Sequence, residues 1–454
     1  ALSSLYINDP DKQRIINMAI SAKSYIYKDG RPSSWSAAID NTTSGAVDDI
    51  HKLFIVSAGN VRGPDQVAQY PDINITEQIE DPGQSWNAIT VGAYTNLDRT
   101  EDTAYQFLAK KGELSPFSRT SMFFDKMWPI KPEVVLEGGN AIKDGLLAFD
   151  DEDLSLLTTH HDPTQAVFTH FNATSAATAY AAWMAAKIQS EYPKAWPETV
   201  RGLLIHSAKW TEEMKRQFFK DKGTKGEYQN LLRTCGYGVP SLNRAIDTVS
   251  NRVNLIIQEE LQPYDKVGNE FKTKDMHLYE LPWPKEVLQD IYDKDVKLKV
   301  TLSYFIEPGP GEKGWKDKYR YASAGLRFAL NGSNDKEDFV KRINKDARDE
   351  EDGNTAAENT VNWLLGRTNR DVGSIHSDTW VGTGADLATS NYIGVYPVIG
   401  WWRERSHLGK WNKKIRYSLI VTLEAPELNV DLLTPILNEI ETRVDTSIET
   451  EIEF

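Results

Sequence analysis

The chain has 454 residues, of which 40% are hydrophobic and 26% charged, a composition that supports large apolar cores. A chain of this length typically contains about three domains, although single α/β domains are often large. The formal net charge of -14 argues against nucleic acid as the main partner, because binding to phosphates requires a basic surface.

The number of cysteines and the hydropathy of the sequence bear on the cellular compartment and on membrane insertion. Cys235 is the only cysteine, so the chain cannot form an intramolecular disulfide, which suits the reducing cytoplasm. No apolar run approaches the roughly 18 residues of a membrane span. We therefore expect a cytoplasmic protein that does not insert into membranes.

The first 60 residues predict a strand, a helix and a second strand. Residues 14–20 indicate a buried strand, and Ser33 or Ser34 is placed to cap a helix over 33–39. The continuous apolar run 53–57 is typical of a strand buried in a parallel sheet. Together these elements predict a right-handed βαβ unit.

Asn60 follows this apolar run almost directly. An Asn beyond the end of a buried strand can direct its side-chain NH2 group at the oxyanion of a tetrahedral intermediate. Asn is also common in the ordinary turns that follow strands. The run by itself is compatible with both interpretations.

Three segments in the middle of the chain are predicted to be loops or hairpin-like connections between the strands. Residues 61–86, rich in Pro, Gly, Asp and Gln, predict an exposed loop, and 95–113 predict a hairpin-like excursion. An acidic segment with three histidines lies between residues 138 and 172. The adjacent His161 and Asp162 resemble part of a triad, but a catalytic base needs an orienting carboxylate that a neighbouring residue rarely provides. We expect a solvated loop there.

A helix with very little side-chain bulk is predicted from residue 171 onward. Small residues occupy almost every position up to Ala182, and Trp183 and Met184 continue the pattern at helical spacing. Ser175 would lie in the first turn, where free backbone N–H groups and the helix dipole favour a developing anion. The alternative is an Ala-rich core helix that Thr174 and Ser175 merely cap.

Beyond this helix the pattern changes from helical to alternating. Helices are predicted over 197–206 and up to residue 246, separated by a charged, mobile-looking stretch at 211–230 and a Gly-rich turn at 236–240. From about residue 251, alternating apolar and polar residues predict antiparallel strands over 296–306, 320–330, 392–402 and 416–423, with one helix near 338–348. This pattern predicts a β-sandwich or jelly roll. Four tryptophans are expected to anchor its core or an interface rather than to form a ligand cage: Trp380, Trp401, Trp402 and Trp411.

Several of these segments resemble motifs of the subtilisin-like serine peptidases, in the right order. Residues 173–178, Ala-Thr-Ser-Ala-Ala-Thr, resemble the nucleophile motif Gly-Thr-Ser-Met-Ala-Thr-Pro, and residues 56–60, Val-Ser-Ala-Gly-Asn, resemble the oxyanion-Asn motif. Residues 16–18, Ile-Asn-Met, are similar to the strand beside the substrate cleft. Further similar stretches are 89–93, 115–118, 131–135 and 236–238. The resemblance covers roughly residues 5 to 250.

The resemblance implies an α/β fold and a set of site residues. A parallel-sheet subtilisin-like domain over residues 1–250, incomplete at its N-terminus, would precede an antiparallel accessory β domain over residues 251–454. Ser175 would be the nucleophile, and Asn60 with the Ser175 backbone N–H would form the oxyanion hole. The substrate polypeptide would add as a strand between two walls, formed by Ala19, Ile20 and Ser21 on one side and by Ser57, Ala58 and Gly59 on the other.

The departures from the family pattern affect the nucleophile motif and the catalytic base. Ala173, Ala176, Ala179 and Tyr180 stand where the family has Gly, Met, Pro and His. Family members carry the catalytic Asp and His upstream of the strand at 16–18, and neither motif is present here. We therefore expect the chain to be the larger C-terminal piece of a longer protein. A companion N-terminal fragment would stay bound and supply both residues.

Two functions from different classes remain open at this point. The first is a serine endopeptidase that hydrolyses peptide bonds, and the second is a catalytically inactive, subtilase-derived module that binds a protein partner. The presence of both Asn60 and Ser175 favours the first, whereas Ala179 and Tyr180 favour the second. No cofactor or catalytic metal is expected; a structural calcium ion is compatible with the family but not indicated by the sequence. A regulatory protein partner is left open.

Overall fold

The structure is a computed structural model that describes residues 9, 12–23, 29–101, 105–220, 223–246, 252–283, 285–311, 319–351, 362–425 and 447–451. Its strands are, in chain order, β1 (Ile15–Met18), β2 (Leu53–Ser57), β3 (Ile89–Tyr94), β4 (Gln106–Phe107), β5 (Val134–Glu137), β6 (Ala141–Asp144), β7 (Leu147–Asp150), β8 (Leu156–Thr159), β9 (Phe168–Phe171), β10 (Arg252–Leu261), β11 (Tyr264–Val267), β12 (Glu270–Thr273), β13 (Asp275–Glu280), β14 (Asp295–Tyr304), β15 (Gly325–Leu330), β16 (Ile375–Thr383), β17 (Tyr392–Val398), β18 (Ile415–Glu424) and β19 (Ser447–Glu451). Its helices are α1 (Ser34–Thr43), α2 (Pro64–Val67), α3 (Asp72–Thr76), α4 (Ala173–Glu191), α5 (Pro197–His206), α6 (Glu212–Phe218), α7 (Lys225–Cys235), α8 (Leu242–Ile246), α9 (Lys285–Asp290), α10 (Lys336–Glu351), α11 (Arg367–Arg370), α12 (Gly384–Ala388) and α13 (Trp401–Glu404). None of these described helices is long and apolar enough to cross a membrane.

A four-stranded parallel sheet in the order β1-β2-β3-β5 organises the first half of the chain. The strands β2 and β3 are buried at every position, as expected for a sheet covered on both faces. The order and parallel pairing of the predicted βαβ unit are confirmed, although β1 is half-buried rather than buried as predicted. The Ser33 hydroxyl caps α1 by accepting the Ser36 N–H at 3.1 Å. Among the described residues β1 pairs only with β2, so it forms one edge of the sheet.

The polar segment 61–86 differs from its predicted exposed loop. It contains α2 and α3, and several of its polar residues are buried. Asn74, which has no exposed surface, donates its side-chain N–H groups to the carbonyls of Ser115, Pro116 and Ser118. The exposure prediction was wrong because a polar composition does not distinguish a solvated loop from one whose polar groups are satisfied internally.

Three other segments are more regular than their sequence predicted. The hairpin-like excursion expected over 95–113 is closed at its base, where Thr95 exchanges backbone hydrogen bonds with Gly112 and Glu113. It also contains β4, which pairs with β6 in the three-stranded sheet β4-β6-β7. The segment 138–172 contains the hairpins β6–β7 and β8–β9 rather than a plain loop. The mobile-looking stretch 211–230 holds α6 and the start of α7, which Thr224 and Glu227 begin with a capping box.

The second half of the chain consists mainly of two four-stranded antiparallel sheets, β10-β18-β14-β16 and β15-β17-β13-β19. Side chains from both sheets, such as Leu298 of β14 and Phe328 of β15, join one apolar cluster. The α/β architecture with a parallel sheet followed by antiparallel sheets is confirmed. Its finer description as a sandwich or jelly roll, and the boundary near residue 250, stay predictions. The sequence reasoning missed β10, β13, β16 and β19.

Aromatic residues connect the two halves. The Tyr321 ring centroid lies 5.6 Å from that of Trp86 and 6.4 Å from that of Trp128. The Tyr321 hydroxyl donates to the buried Asp40 carboxylate at 2.6 Å. Aromatic rings and a buried hydrogen bond thus contribute to the contact between the two halves. Three of the four tryptophans expected in the later core are buried, namely Trp380, Trp401 and Trp402.

The helix α5 packs against β14 and β18 and places a charged side chain inside the junction. Gly202 makes this close approach possible, since a Cβ atom there would lie 2.8 Å from Cδ1 of Ile420. The neighbouring Arg201 has no exposed surface and donates to carbonyl and hydroxyl oxygens. Its acceptors are the carbonyls of Trp86, Asn87, Tyr304 and Ser374 and the hydroxyls of Ser303 and Ser374. Burial lowers the pKa of Arg201 to about 10, which still leaves it charged at neutral pH.

Substitution of Arg201 tests how much this junction stabilises the fold. Arg201→Met leaves several buried carbonyls without a donor, so we expect a loss of about 4 kcal/mol or more in the free energy of unfolding. Arg201→Lys should recover only part of it, because an ammonium group cannot reproduce the planar fork. Urea unfolding curves measure the effect.

The matched control for this series is Arg216→Met. The Arg216 side chain is 77% exposed and pairs with Glu213 on the same helix, so its loss should cost at most about 0.5 kcal/mol. Equal midpoints for Arg201→Met and Arg216→Met would show that the junction does not depend on the buried guanidinium.

Candidate active site

Ser175 lies in the first turn of α4, as the sequence predicts. This helix packs against β1, β2, β3 and β5, and its small residues allow that approach; Ala177 and Ala181, for example, are completely buried. Ser175 itself is partly exposed, and its hydroxyl donates weakly to the carbonyl of Ala19 at 3.4 Å. The structure thus brings the predicted nucleophile beside the predicted substrate wall that follows β1.

Asn60 lies at the start of α4, next to the residue that precedes Ser175. Its side-chain oxygen Oδ1 accepts the backbone N–H of Thr174 at 3.1 Å and lies 2.5 Å from the Thr174 hydroxyl oxygen. A backbone N–H can only donate, so this contact fixes which end of the Asn60 amide carries the oxygen. The NH2 group makes no hydrogen bond to the described residues. It therefore remains unused at the start of the helix that carries Ser175.

Thr174 is a positioning residue that the sequence reasoning treated only as a cap. Its hydroxyl is buried and lies within hydrogen-bond distance of both Asn60 Oδ1 and the Gly59 carbonyl oxygen. The only sequence signal was its place immediately before Ser175, because Asn60 is 114 residues away in the chain. The role of a Thr in orienting a distant Asn becomes visible only in the fold.

Arg119 supports the loop that carries Asn60, and the sequence reasoning did not identify this residue. Its Nε atom donates to the Asn60 carbonyl at 2.8 Å, and its other nitrogens pair with Glu77 at 2.6 Å and Glu80 at 3.4 Å. Glu80 is buried and also accepts the Ser21 hydroxyl at 2.6 Å. Glu80 therefore links both predicted walls, through its carboxylate to Ser21 and through its backbone N–H to the Ala58 carbonyl.

The start of α4 is held in an unusual backbone conformation. Ala173 has φ 63°, in the left-handed region that favours glycine, and the resembling family motif has Gly at this position. Its N–H donates to the Gly138 carbonyl at 2.6 Å, and a Cβ atom at Gly138 would lie 2.9 Å from the Ala173 carbonyl oxygen. The beginning of the helix is thus fixed by contact with the end of β5.

Glu137 at the end of β5 supports this contact. Its carboxylate accepts the N–H of Gly139 at 2.9 Å and that of Asn96 at 2.6 Å. Burial raises the pKa of Glu137, while these two hydrogen bonds oppose that rise by stabilising the charged form.

The two predicted substrate walls differ in accessibility. Ala19 and Ser21 are partly exposed and Ile20 is exposed, so this wall is open to a polypeptide. Ser57, Ala58 and Gly59 are buried. Both main-chain groups of Ala58 are already used, because its N–H donates to Val91 and its carbonyl accepts from Glu80. Main-chain pairing of a substrate strand is therefore not available at Ala58.

No histidine among the described residues is hydrogen-bonded to Ser175. His161 and Asp162 do not form a dyad, since the Asp162 carboxylate accepts the N–H and hydroxyl of Thr164. These bonds lower the pKa of Asp162. His170 lies on β9 and is 3.8 Å from the exposed Glu152. The described part of the chain thus places the Ser175 hydroxyl and the Asn60 amide at the start of α4, without a histidine bonded to Ser175. It also contains no group of three or more His, Cys, Asp or Glu side chains placed to bind a metal ion.

Comparison with known proteins identifies the family. A model of the subtilase family matches residues 1–238, which is more than half of the chain. The chain belongs to the subtilase family. This result confirms the resemblance found in the sequence.

Individual relatives are distant. The uncharacterized protein y4bN of Sinorhizobium fredii (strain NBRC 101917 / NGR234) is 27% identical over 343 residues, covering 71% of this chain and 73% of y4bN. A protease from Pseudoalteromonas arctica PAMC 21717 is 16% identical with a TM-score of 0.31, covering 51% of this chain and 50% of the protease chain. MycP1 from the ESX-1 type VII secretion system is 16% identical with a TM-score of 0.30, covering 54% of each chain. The matched region spans about half the length of these solved proteases.

Glycine substitutions in α4 test the strain at its first residue. Ala177→Gly should cost about 1.5 kcal/mol or more through lower helix propensity and a lost buried methyl group. Ala173→Gly loses the same methyl group, but it also removes the cost of about 1–2 kcal/mol that an alanine pays in the left-handed conformation. The two effects oppose each other, so the net change in the free energy of unfolding should be near zero. Thermal or urea unfolding of the two variants measures the difference. Equal losses for both would show that Ala173 is not strained.

Proposed function

We propose that this protein is a serine endopeptidase of the subtilase type. The observation that carries the proposal is the Asn60 amide, whose oxygen is fixed by Thr174 and whose NH2 group is left available beside Ser175. A helix that served only as a scaffold would need neither an oriented amide nor a partly exposed serine next to it. The family membership supports the same reaction class.

In the proposed mechanism Ser175 attacks the carbonyl carbon of a peptide bond. A histidine accepts the hydroxyl proton and later transfers it to the departing amine, while a carboxylate orients that histidine. The Asn60 NH2 group and the Ser175 backbone N–H stabilise the oxyanion. The polypeptide substrate would lie against Ala19, Ile20 and Ser21, with Ser57, Ala58 and Gly59 supporting the opposite side from beneath the surface.

We further propose that a companion segment supplies the histidine and the aspartate. Such a segment would pair with the edge of β1, which is unpaired among the described residues. Tyr180 and Trp183 project from α4 with 43% and 46% of their surface exposed, and Ile20 is 64% exposed. Because α4 packs against β1, a segment that pairs with β1 could also cover the exposed aromatic residues of this helix. A further regulatory protein partner stays a proposal without an assigned surface.

We also propose that the protein acts in the cytoplasm and needs no cofactor. The reaction as proposed uses no cofactor and no metal ion, and the single cysteine, which is buried in the helix α7, suits work in the cytoplasm. The second candidate function, an inactive binding module, is favoured by one observation: the Ser175 hydroxyl donates to the Ala19 carbonyl rather than to a base.

Covalent labelling distinguishes the two candidates. A fluorophosphonate reacts only with an activated serine, so the native sample should be labelled at Ser175, and Ser175→Ala should abolish the label. Asn60→Ala should lower turnover about 10² to 10³-fold, an effect known from subtilisin itself and carried over here. Thr174→Val keeps the backbone donor to Asn60 and should cause a smaller loss. A single species of 51.3 kDa that stays unlabelled would favour the inert module.

Docking of the companion segment is tested at the aromatic surface. Tyr180→Asp should release the companion from the native complex and abolish labelling, because a charge would be buried at the contact. Native mass spectrometry measures the bound fraction. Tyr292→Asp is the matched control, since Tyr292 is 69% exposed and lies after α9. Equal companion binding by both variants would place the contact elsewhere.

A further inference from the structure

A cavity of about 360 Å³ lies where the C-terminal end of α5 meets the sheet β10-β18-β14-β16. Its volume is in the range of small-molecule sites. Residues from both halves of the chain line it, and none of them belongs to the candidate active site. The cavity therefore has no role in the proposed peptidase reaction.

The charges around this cavity are predominantly positive. Three acidic residues line it, and each is already engaged: Glu424 pairs with Lys209 at 3.3 Å, Glu212 pairs with Lys215 at 2.8 Å, and Asp378 accepts backbone N–H groups. Twice as many basic residues line it, namely Lys209, Lys215, Arg244, Arg252, Lys297 and Lys299. The wall thus carries an excess of positive charge.

Three of these cations have no carboxylate partner among the described residues: Arg244, Lys297 and Lys299. Lys299 donates its ammonium group to the Ala208 carbonyl at 2.8 Å, and Arg244 donates its Nε–H to the Ser207 carbonyl at 2.7 Å. The carbonyls hold the two cations at the end of α5 without neutralising them. An anion in the cavity would complete their coordination.

The pKa of Lys299 agrees with this geometry. Burial is the main cause that lowers it to about 7, and the nearby Lys209 and Arg244 lower it further. Glu424 and Asp378 oppose the shift but do not compensate for it. The remaining titratable or charged groups lining the cavity are His206, Glu212, Lys215, Tyr228, Tyr237, Arg252 and Lys297. Burial and Lys299 keep the pKa of His206 low, and its ring nitrogens contact the hydroxyls of Thr301 and Thr422.

Another part of the wall is aromatic and apolar. The rings of Trp210 and Tyr228 lie 5.5 Å apart, and the indole N–H of Trp210 is held by the Gly236 carbonyl at 2.7 Å. Leu364 and Leu365 line the cavity as well. A ligand that fills the site therefore needs an apolar or planar body in addition to its charge.

We propose that this cavity binds a small phosphorylated molecule, with its phosphate at Lys299, Arg244 and Lys297 and its apolar body against Trp210 and Tyr228. A phosphate monoester carries close to two negative charges at neutral pH and offers three acceptor oxygens. Lysine ammonium groups suit it as point charges, and the Arg244 guanidinium adds further donors. Because the walls come from both halves, the bound molecule would tie α5 to the antiparallel sheet.

Isothermal titration calorimetry of the full chain tests the site with phenyl phosphate, inorganic phosphate and benzoate as probes. Phenyl phosphate should bind saturably and more tightly than either of the others. The absence of saturable binding of phenyl phosphate below about 10 mM would overturn the proposal. Benzoate binding as tightly as phenyl phosphate would overturn the phosphate assignment. Equal binding of inorganic phosphate would overturn the assignment of the aromatic wall.

Variants locate the binding. Lys299→Met should weaken phenyl phosphate binding about tenfold or more, and Lys297→Met about threefold. Lys297 is exposed on β14, so its variant should fold even if Lys299→Met does not. Lys414→Met is the matched control, since Lys414 is exposed and outside the cavity lining. Wild-type affinity in the folded Lys297 and Lys299 variants would overturn the proposal.

Proton uptake provides an independent readout. The pKa of Lys299 is lowered by burial to about 7 in the free protein, and a bound phosphate would raise it by favouring the charged form. Lys299 should therefore take up about one proton when phenyl phosphate binds at pH 8, and much less when it binds at pH 6. The dependence of the binding enthalpy on the ionisation enthalpy of the buffer measures this uptake. An uptake that persists unchanged in Lys299→Met would overturn the assignment of the phosphate to Lys299.

Discussion

The junction between the two halves of the chain depends on the buried guanidinium group of Arg201. Arg201 has no surface in contact with solvent, and its donors reach carbonyl oxygens that belong to loops and strands from widely separated parts of the chain. An isolated charge in an apolar interior is very costly, and only a complete set of hydrogen bonds makes it tolerable. The acceptors of Arg201 therefore restrict the helix α5 to a single position against the antiparallel sheet. Because α5 also packs against α4, this position supports the helix that carries Ser175.

The candidate active site combines residues that are far apart in sequence. The loop after β2 supplies Asn60, the start of α4 supplies Thr174 and Ser175, and the segment after β1 supplies Ala19. Arg119 and Glu80 join these pieces by ion pairs and hydrogen bonds. Each contact satisfies a group that would otherwise be partly buried without a partner, so the loops that present the site are also parts of the core.

Local patterns in the sequence predicted much of the fold. The cap at Ser33, the apolar run of β2, the small residues of α4 and the alternation in β14 follow from periodicity, propensity and capping, which are properties of neighbouring residues. The errors concern groups whose environment is set by distant residues. Asn74 was predicted to lie in an exposed loop because the local sequence does not reveal its three carbonyl partners, which lie more than 40 residues away. The strand β16 was missed because the polar His376, Ser377 and Asp378 occupy buried positions in it. Thr174 and Arg119 act on Asn60 across distances that no local pattern encodes.

The same guanidinium also sets an order of events during synthesis. Arg201 emerges from the ribosome 173 residues before Ser374, one of its acceptors. At about 5–20 residues per second, that interval lasts roughly 10–35 s. Throughout it, the helix α5 lacks the sheet that covers Gly202 and receives the Arg201 side chain. The nascent parallel-sheet region must therefore wait in an unfinished state, with apolar surface exposed, which is the kind of species that chaperones bind. Slower translation between these two residues would lengthen the time for which this apolar surface stays uncovered.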